Sequence, residues 1–324
     1  MTLPWHNDAR AAFEAYVKAG RVPHALLIAG PSGCGKIDLA RHIARQLLCR
    51  EGVPGGCGEC RSCRLFQSGA HPDYRAVSFE FRDHSEILRD VITVSQIRAL
   101  IEAMYMTTTT SARKLAIIHP ADRMNVNAAN ALLKTLEEPV GDTVLILVAH
   151  DAGRLPATIR SRCQRLLVDL PPRQQALEWL KQTAGAAPQD AAQALAAAAG
   201  RPLEAQALLD SGALEHYRCA LRLLELLRSG ATSDGKALAA MTDFDAPSLW
   251  TWLSLRCADL VRRSLEENVP GDVVRPLAEL QRLADRNRML SATPVRRDFL
   301  LRDWLIQWKN LPATLPLDRH TQEA

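Results

Sequence analysis

The chain reads as an α/β domain with a parallel sheet, followed by a small helical segment and an all-α C-terminal part. Three observations carry that reading. Continuous apolar runs of strand length alternate with helical patterns through about residue 167. A phosphate-loop motif stands between the first such run and a helix. After Pro171-Pro172 the strand signals stop. Boundaries are therefore expected at 1–167, 168–212 and 213–324.

Ala25–Ala29 is the first predicted strand, and a helical pattern with Leu39, Ile43 and Leu47 on one face follows the loop. Leu115–Ile118 and Thr143–Ala149 are further buried strands, with helices predicted over 94–103 and 125–136 between and around them. Runs that are apolar throughout belong to a sheet covered on both faces, which is the parallel α/β arrangement. Further on, an Ala-rich helix is expected over 190–199, with Gly200-Arg201-Pro202 ending it and opening the next. From Ala213 the chain is helical, with breaks at 230–235 and 268–271. The last helix is expected from Thr293-Pro294, with Leu301, Trp304, Leu305 and Trp308 on one stripe. Those aromatics, with Trp250 and Trp252, are expected to be core, and 312–324 a frayed tail.

The loop Gly30-Pro-Ser-Gly-Cys-Gly-Lys36-Ile37 departs from the G-x-x-x-x-G-K-[ST] pattern at its last position. Gly30, Gly33, Gly35 and Lys36 can still cradle phosphates through backbone N–H groups and an ammonium. Ile37 stands where a hydroxyl would hold Mg²⁺, and a hydrocarbon cannot ligate a hard cation. The loop is thus a degenerate nucleotide site, expected to bind ATP or ADP weakly and not to hydrolyse it.

Four of the eight cysteines fall in one window, Cys49, Cys57, Cys60 and Cys63, among Gly52, Gly55, Gly56 and Gly58. Four thiolates with tight turns between them suit a closed tetrahedral Zn²⁺ site with an architectural role. The same ligand set serves iron–sulfur clusters, so that alternative stays open. Disulfides disagree with the cytoplasmic setting expected from the absence of a signal-like start. Cys34, Cys163, Cys219 and Cys257 are scattered and are read as packing residues.

With 47% hydrophobic and 23% charged residues the composition is that of a globular chain, and no apolar run is long enough to span a bilayer. A formal charge of +4 permits contact with nucleic acid without requiring it.

The segments His24-Ala-Leu-Leu-Ile28, Gly69-Ala-His-Pro-Asp-Tyr74, Asn130-Ala-Leu-Leu-Lys-Thr-Leu-Glu-Glu-Pro139 and Leu155-Pro-Ala-Thr-Ile-Arg-Ser-Arg-Cys163 stand out. Together they resemble the bacterial DNA polymerase III clamp loader, of the AAA+ class. The resemblance spans about the first half of the chain. It implies an AAA+ nucleotide-binding-like domain with an inserted zinc module at 49–63, a helical lid and a helical collar for oligomerisation. Within the family, the ATPase subunit carries an acidic pair where this chain has His119 and Pro120, and an arginine sensor where it has Leu203, with Arg201 two residues away. Asp122 is the nearest substitute carboxylate. These departures place the chain with the delta-prime branch.

By the same resemblance, Arg162 is implied as an arginine finger entering a neighbour's ATP site. The implied partners are gamma/tau ATPase subunits and a delta subunit in a hetero-pentameric ring, with the sliding clamp and primed DNA engaged by the assembly. The chain would then belong to a DNA-directed DNA polymerase (nucleotidyltransferase) holoenzyme without ATPase activity of its own. Two other readings make different predictions. An active AAA+ ATPase recruiting Asp122 would hydrolyse ATP alone. A freestanding zinc-containing nucleic-acid binder would bind DNA with a steep salt dependence.

Overall fold

The computed structural model describes residues 3–81, 89–291, 293, 295–312 and 315. Pro294 and most of the expected tail lie outside the described residues. The chain packs as two compact units, 1–175 and 176–324.

In the first unit five parallel strands form one sheet: β1 (Ala25–Ala29), β2 (Tyr74–Val77), β3 (Lys114–Ile118), β4 (Thr143–Ala149) and β5 (Gln164–Leu167). Their order is β2-β3-β4-β1-β5, so β1 lies inside the sheet between β4 and β5. Side chains alternate across a strand, and the two faces of β1 show it. Ala25, Leu27 and Ala29 join a core with Ile97, Leu100, Leu132 and Leu136. These come from α4 (Val94–Tyr105) and α5 (Val126–Glu137). Leu26 and Ile28 join the opposite core with Phe13, Leu39 and Ile43, from α1 (Asn7–Lys18) and α2 (Lys36–Leu48). Burial on both faces is why the inner strands are apolar at every position but their first residues Lys114 and Thr143.

The edge strands were not apparent from the sequence. Tyr74–Val77 and Gln164–Leu167 are each four residues long and mostly open to solvent, so neither carries a continuous apolar run. Helix starts are chemically marked. Thr93 and Gln96 form a reciprocal capping box at α4, and the Asn125 side chain accepts from Ala128 N–H at α5. A short α3 (Arg61–Gln67) follows the cysteine window, and a one-turn α6 (Ala157–Arg160) precedes β5.

The second unit is helical among its described residues: α7 (Arg173–Ala184), α8 (Pro188–Ala197), α9 (Pro202–Asp210), α10 (Leu214–Arg228), α11 (Asp234–Met241), α12 (Ala246–Glu266), α13 (Gly271–Leu290) and α14 (Arg297–Lys309). The breaks expected at 230–235 and 268–271 fall between α10 and α11 and between α12 and α13. Leu301, Trp304, Leu305 and Trp308 are all buried, together with Trp250 and Trp252. The two indole N–H groups of α14 are satisfied inside this core, Trp304 Nε1 donating to the Leu280 carbonyl at 3.1 Å and Trp308 Nε1 to that of Leu224 at 3.0 Å. Cys257 and Cys163 are buried packing thiols, whereas Cys219 is exposed and does not fit that expectation. Among the described residues no helix is long and apolar enough to cross a membrane.

Candidate functional site

The phosphate loop occupies the carboxyl end of β1, where α2 begins. Gly30 brings the chain so close to the exit of β5 that a Cβ would stand 1.9 Å from the Val168 carbonyl oxygen. Gly35 is the N-cap of α2 with φ 74°, a left-handed conformation that glycine adopts at little cost. Gly33 also has positive φ, 71°. Lys36 is the first residue of α2, only 3% exposed, and its Nζ donates back to the Pro31 carbonyl. Ile37 packs against the apolar core on the α1–α2 side.

The segment Leu3–His6 covers this loop. Trp5 Nε1 donates to the Cys34 carbonyl at 2.9 Å, and His6 Nε2 lies 2.7 Å from the same oxygen. Burial lowers the His6 pKa, so the neutral ring with Nε2–H as donor fits this contact. A Cβ on Gly35 would meet Leu3 Cδ1 at 2.2 Å. Leu3 and His6 have no motif that could have announced this role.

Beside the loop, His119 follows β3 through a cis bond to Pro120. Its ring stands 5.3 Å from that of His150, edge to face. Burial lowers its pKa, and the neighbouring His150 and Lys36 charges act in the same direction. Asp122, the substitute carboxylate considered above, is buried and committed to backbone. It accepts from His150 N–H at 3.0 Å and Asp151 N–H at 3.4 Å, which anchors the exit of β4.

The other end of α2 leads into the cysteine window. Thirteen residues of helix separate the two features by about 20 Å. The Sγ atoms of Cys49, Cys57, Cys60 and Cys63 all lie within 4.8 Å of one another, and the Cys57–Cys63 pair is 3.8 Å apart. A tetrahedron with Zn–S bonds of about 2.3 Å has edges of about 3.8 Å, so the spacing fits. Backbone N–H groups of Cys57, Cys60 and Cys63 point at Cys49, Cys57 and Cys60 sulfurs at 3.3–3.4 Å, which stabilises thiolates. Burial pushes the Cys60 thiol up, but N–H donors from Arg50 and Cys63 outweigh it and bring it down to about 6. Gly56 makes room for the cluster: a Cβ there would be 2.6 Å from Arg45 Cγ and 3.1 Å from Cys63 Sγ.

A buried polar knot joins this module to the sheet. His71 Nδ1 accepts from Asp73 N–H at 3.1 Å, which leaves Nε2 as the donor to Ser62 Oγ at 2.8 Å. Ser62 in turn donates to the Leu48 carbonyl at 2.6 Å. The Asp73 carboxylate accepts the backbone N–H groups of Thr109, Thr110 and Ser111 at 2.7–2.8 Å.

Arg162 lies between α6 and β5. Its guanidinium pairs with Glu137, the last residue of α5, at 2.6 Å, and donates to the Thr158 carbonyl at 2.9 Å. With the arginine 36% and the glutamate 48% exposed, the pair is worth about 0–1 kcal/mol. The neighbouring Cys163 thiol is pushed up to about 11 by burial and is chemically quiet. Among the described residues Arg162 contacts Glu137 of α5, Thr158 of α6 and Ser161, and none of the phosphate loop.

Residues 5–172 match the family model described as DNA polymerase III, delta subunit. The DNA polymerase III subunit delta' of Pseudomonas aeruginosa is 36% identical over 313 residues, covering 90% of this chain and 93% of that protein. The same-named subunit of Escherichia coli is 31% identical over 329 residues, covering 94% and 95%. In fold, the chain is similar to a DNA polymerase III gamma subunit-related protein from Thermotoga maritima, at a TM-score of 0.50 and 14% identity, covering 94% of this chain and 99% of that one.

Proposed function

Since the chain belongs to the family of DNA polymerase III delta-prime subunits, we propose that it completes an ATP site on a neighbouring motor subunit and does not turn over nucleotide itself. The observation that carries this reading is the chemistry at the phosphate loop. The positions for metal-binding oxygens hold Ile37, His119 and Pro120, and Asp122 is spent on two backbone N–H groups. A hard cation has no dedicated oxygen ligand among those groups. Lys36 and the loop amides retain a cradle for weakly bound ATP or ADP.

Arg162 is the group offered to the neighbour, its fixed charge meeting charge that develops on a γ-phosphate. The pair with Glu137 is weak enough to exchange for that partner. Cys49, Cys57, Cys60 and Cys63 would hold a structural Zn²⁺, whose part is to fix the fold of the 49–63 module. Residues 168–212 are proposed as a lid and 213–324 as a collar, which would join gamma/tau and delta subunits in a hetero-pentameric clamp loader. That assembly, in the bacterial cytoplasm, would place the sliding clamp on primed DNA.

Replacing Arg162 with Ala tests the reading. Reconstituted with its motor subunits, the variant should assemble normally while hydrolysis at the completed site falls by about 10³-fold. Normal DNA-stimulated turnover by that complex would contradict the role.

A further inference from the structure

Helix α2 carries a second chemistry on the face turned to the segments around α3 and β2. Residues 38, 41, 42 and 45 share that face at helical spacing. They border a cavity of about 660 Å³ whose remaining lining comes from the segments around α3 and β2. This volume lies within the range of about 300–1,000 Å³ typical of small-ligand pockets. Asp38, Arg41, His42, Arg45, Phe66 and Tyr74 are the side chains that give it character.

The cavity is positively charged and under-partnered. Among the described residues neither Arg41 nor Arg45 forms an ion pair with a carboxylate. Arg45 Nε donates to the Gly55 carbonyl, which holds that guanidinium in the wall. The His42 ring packs against Gly55, where a Cβ would come within 2.5 Å of its Cε1. Its Nε2 is buried with no hydrogen-bond partner. Such a nitrogen costs free energy unless a ligand or water meets it. Phe66 and Tyr74 form the aromatic part, with ring centroids 4.8 Å apart at 59°.

Two uncompensated guanidiniums beside an imidazole call for an anion with several acceptor oxygens, and planar forks match phosphate well. A bare anion would leave the aromatic wall unused and would face Asp38 unfavourably. A phosphate joined to an aromatic base uses every one of these groups: the base offers a π face to Phe66 and Tyr74 and N–H donors to Asp38. We propose that this cleft binds a nucleotide unit, with phosphate on Arg41 and Arg45 and the base along Phe66 and Tyr74. Asp38, at the loop end of this face, stands beside Gly35, while Arg41, Arg45, Phe66 and Tyr74 lie outside the phosphate loop.

The test uses the full chain and a single-stranded oligonucleotide carrying 5-iododeoxyuridine, cross-linked by light and mapped by mass spectrometry. Cross-links should fall on Phe66 or Tyr74. Arg41→Ala, a change at an exposed position that leaves the fold intact, should weaken binding by about tenfold, the effect of one charge-assisted contact. It should also flatten the log–log salt slope by about 0.7. Arg41→Lys should restore part of the affinity. Competition with thymidine monophosphate distinguishes the sources: displacement at equal concentration assigns a free nucleotide, and a preference of tenfold or more for the oligonucleotide assigns a strand. Equal displacement by inorganic pyrophosphate would overturn the proposal, as would cross-links confined to other parts of the chain or unchanged binding by Arg41→Ala.

Discussion

At Gly30 a single methyl group is enough to break the phosphate loop. An added Cβ would meet backbone, the Val168 carbonyl at 1.9 Å, which cannot swing aside as a flexible side chain would. Gly30→Ala should therefore lower stability by more than about 2 kcal/mol, measured as a fall in urea midpoint at constant slope. An unchanged midpoint would mean that β1 and the exit of β5 are less tightly held. Glu137 and Arg162 show the opposite regime, a half-exposed pair that adds about 0–1 kcal/mol to stability. Glu137 was visible in the sequence as part of the Leu-Glu-Glu-Pro139 motif, but its partner was not, because nothing in spacing places the end of α5 against the segment before β5.

The elements differ in how far the sequence announced them. β1 and β4 match their apolar runs, and β3 extends one residue earlier, to Lys114, whose ammonium donates to the Ala103 carbonyl at 2.7 Å. The edge strands β2 and β5 were missed because only one face of each needs apolar residues. The last helix starts at Arg297, later than the expected Thr293. Motifs placed the phosphate loop and the cysteine window well, since both depend on residues close in sequence. The Trp5–His6 cover over Cys34 and the capture of Asp122 by the exit of β4 depend on contacts 28 or more residues apart, which no local pattern encodes.

The cysteine module makes its own prediction at this scale. The purified chain should contain one zinc per molecule, and a strong chelator should expose residues 49–63 to hydrogen exchange while the sheet stays protected. Metal analysis that finds iron and sulfide instead would assign a cluster, and unchanged exchange after metal removal would contradict an architectural role.

At the scale of the whole molecule, stability should depend on histidine protonation. Burial lowers the pKa values of His6, His71 and His119. The unfolded chain takes up protons near the ordinary value of about 6.5, whereas the folded chain resists them. Stability is then fully present above that pH and falls as pH drops below it towards the lower folded-state values. Urea midpoints at pH 7.5 and 5.5 check this; a midpoint that rises on acidification would contradict it. His71→Asn should reduce the pH dependence, since its ring is held neutral by the Asp73 N–H and Ser62 contacts.

The two units carry different parts of the proposed role. The first holds the phosphate loop and Arg162, and the second is a helical body around a tryptophan-rich core. In the first unit, Ile37, His119 and Pro120 offer magnesium no side-chain oxygen ligand. Hydrolysis of ATP by the purified chain, followed with magnesium present and compared with hydrolysis after motor subunits are added, tests this most directly. The account predicts no phosphate release above background from the chain alone and full turnover in the mixture. Sustained magnesium-dependent turnover by the chain alone would contradict it.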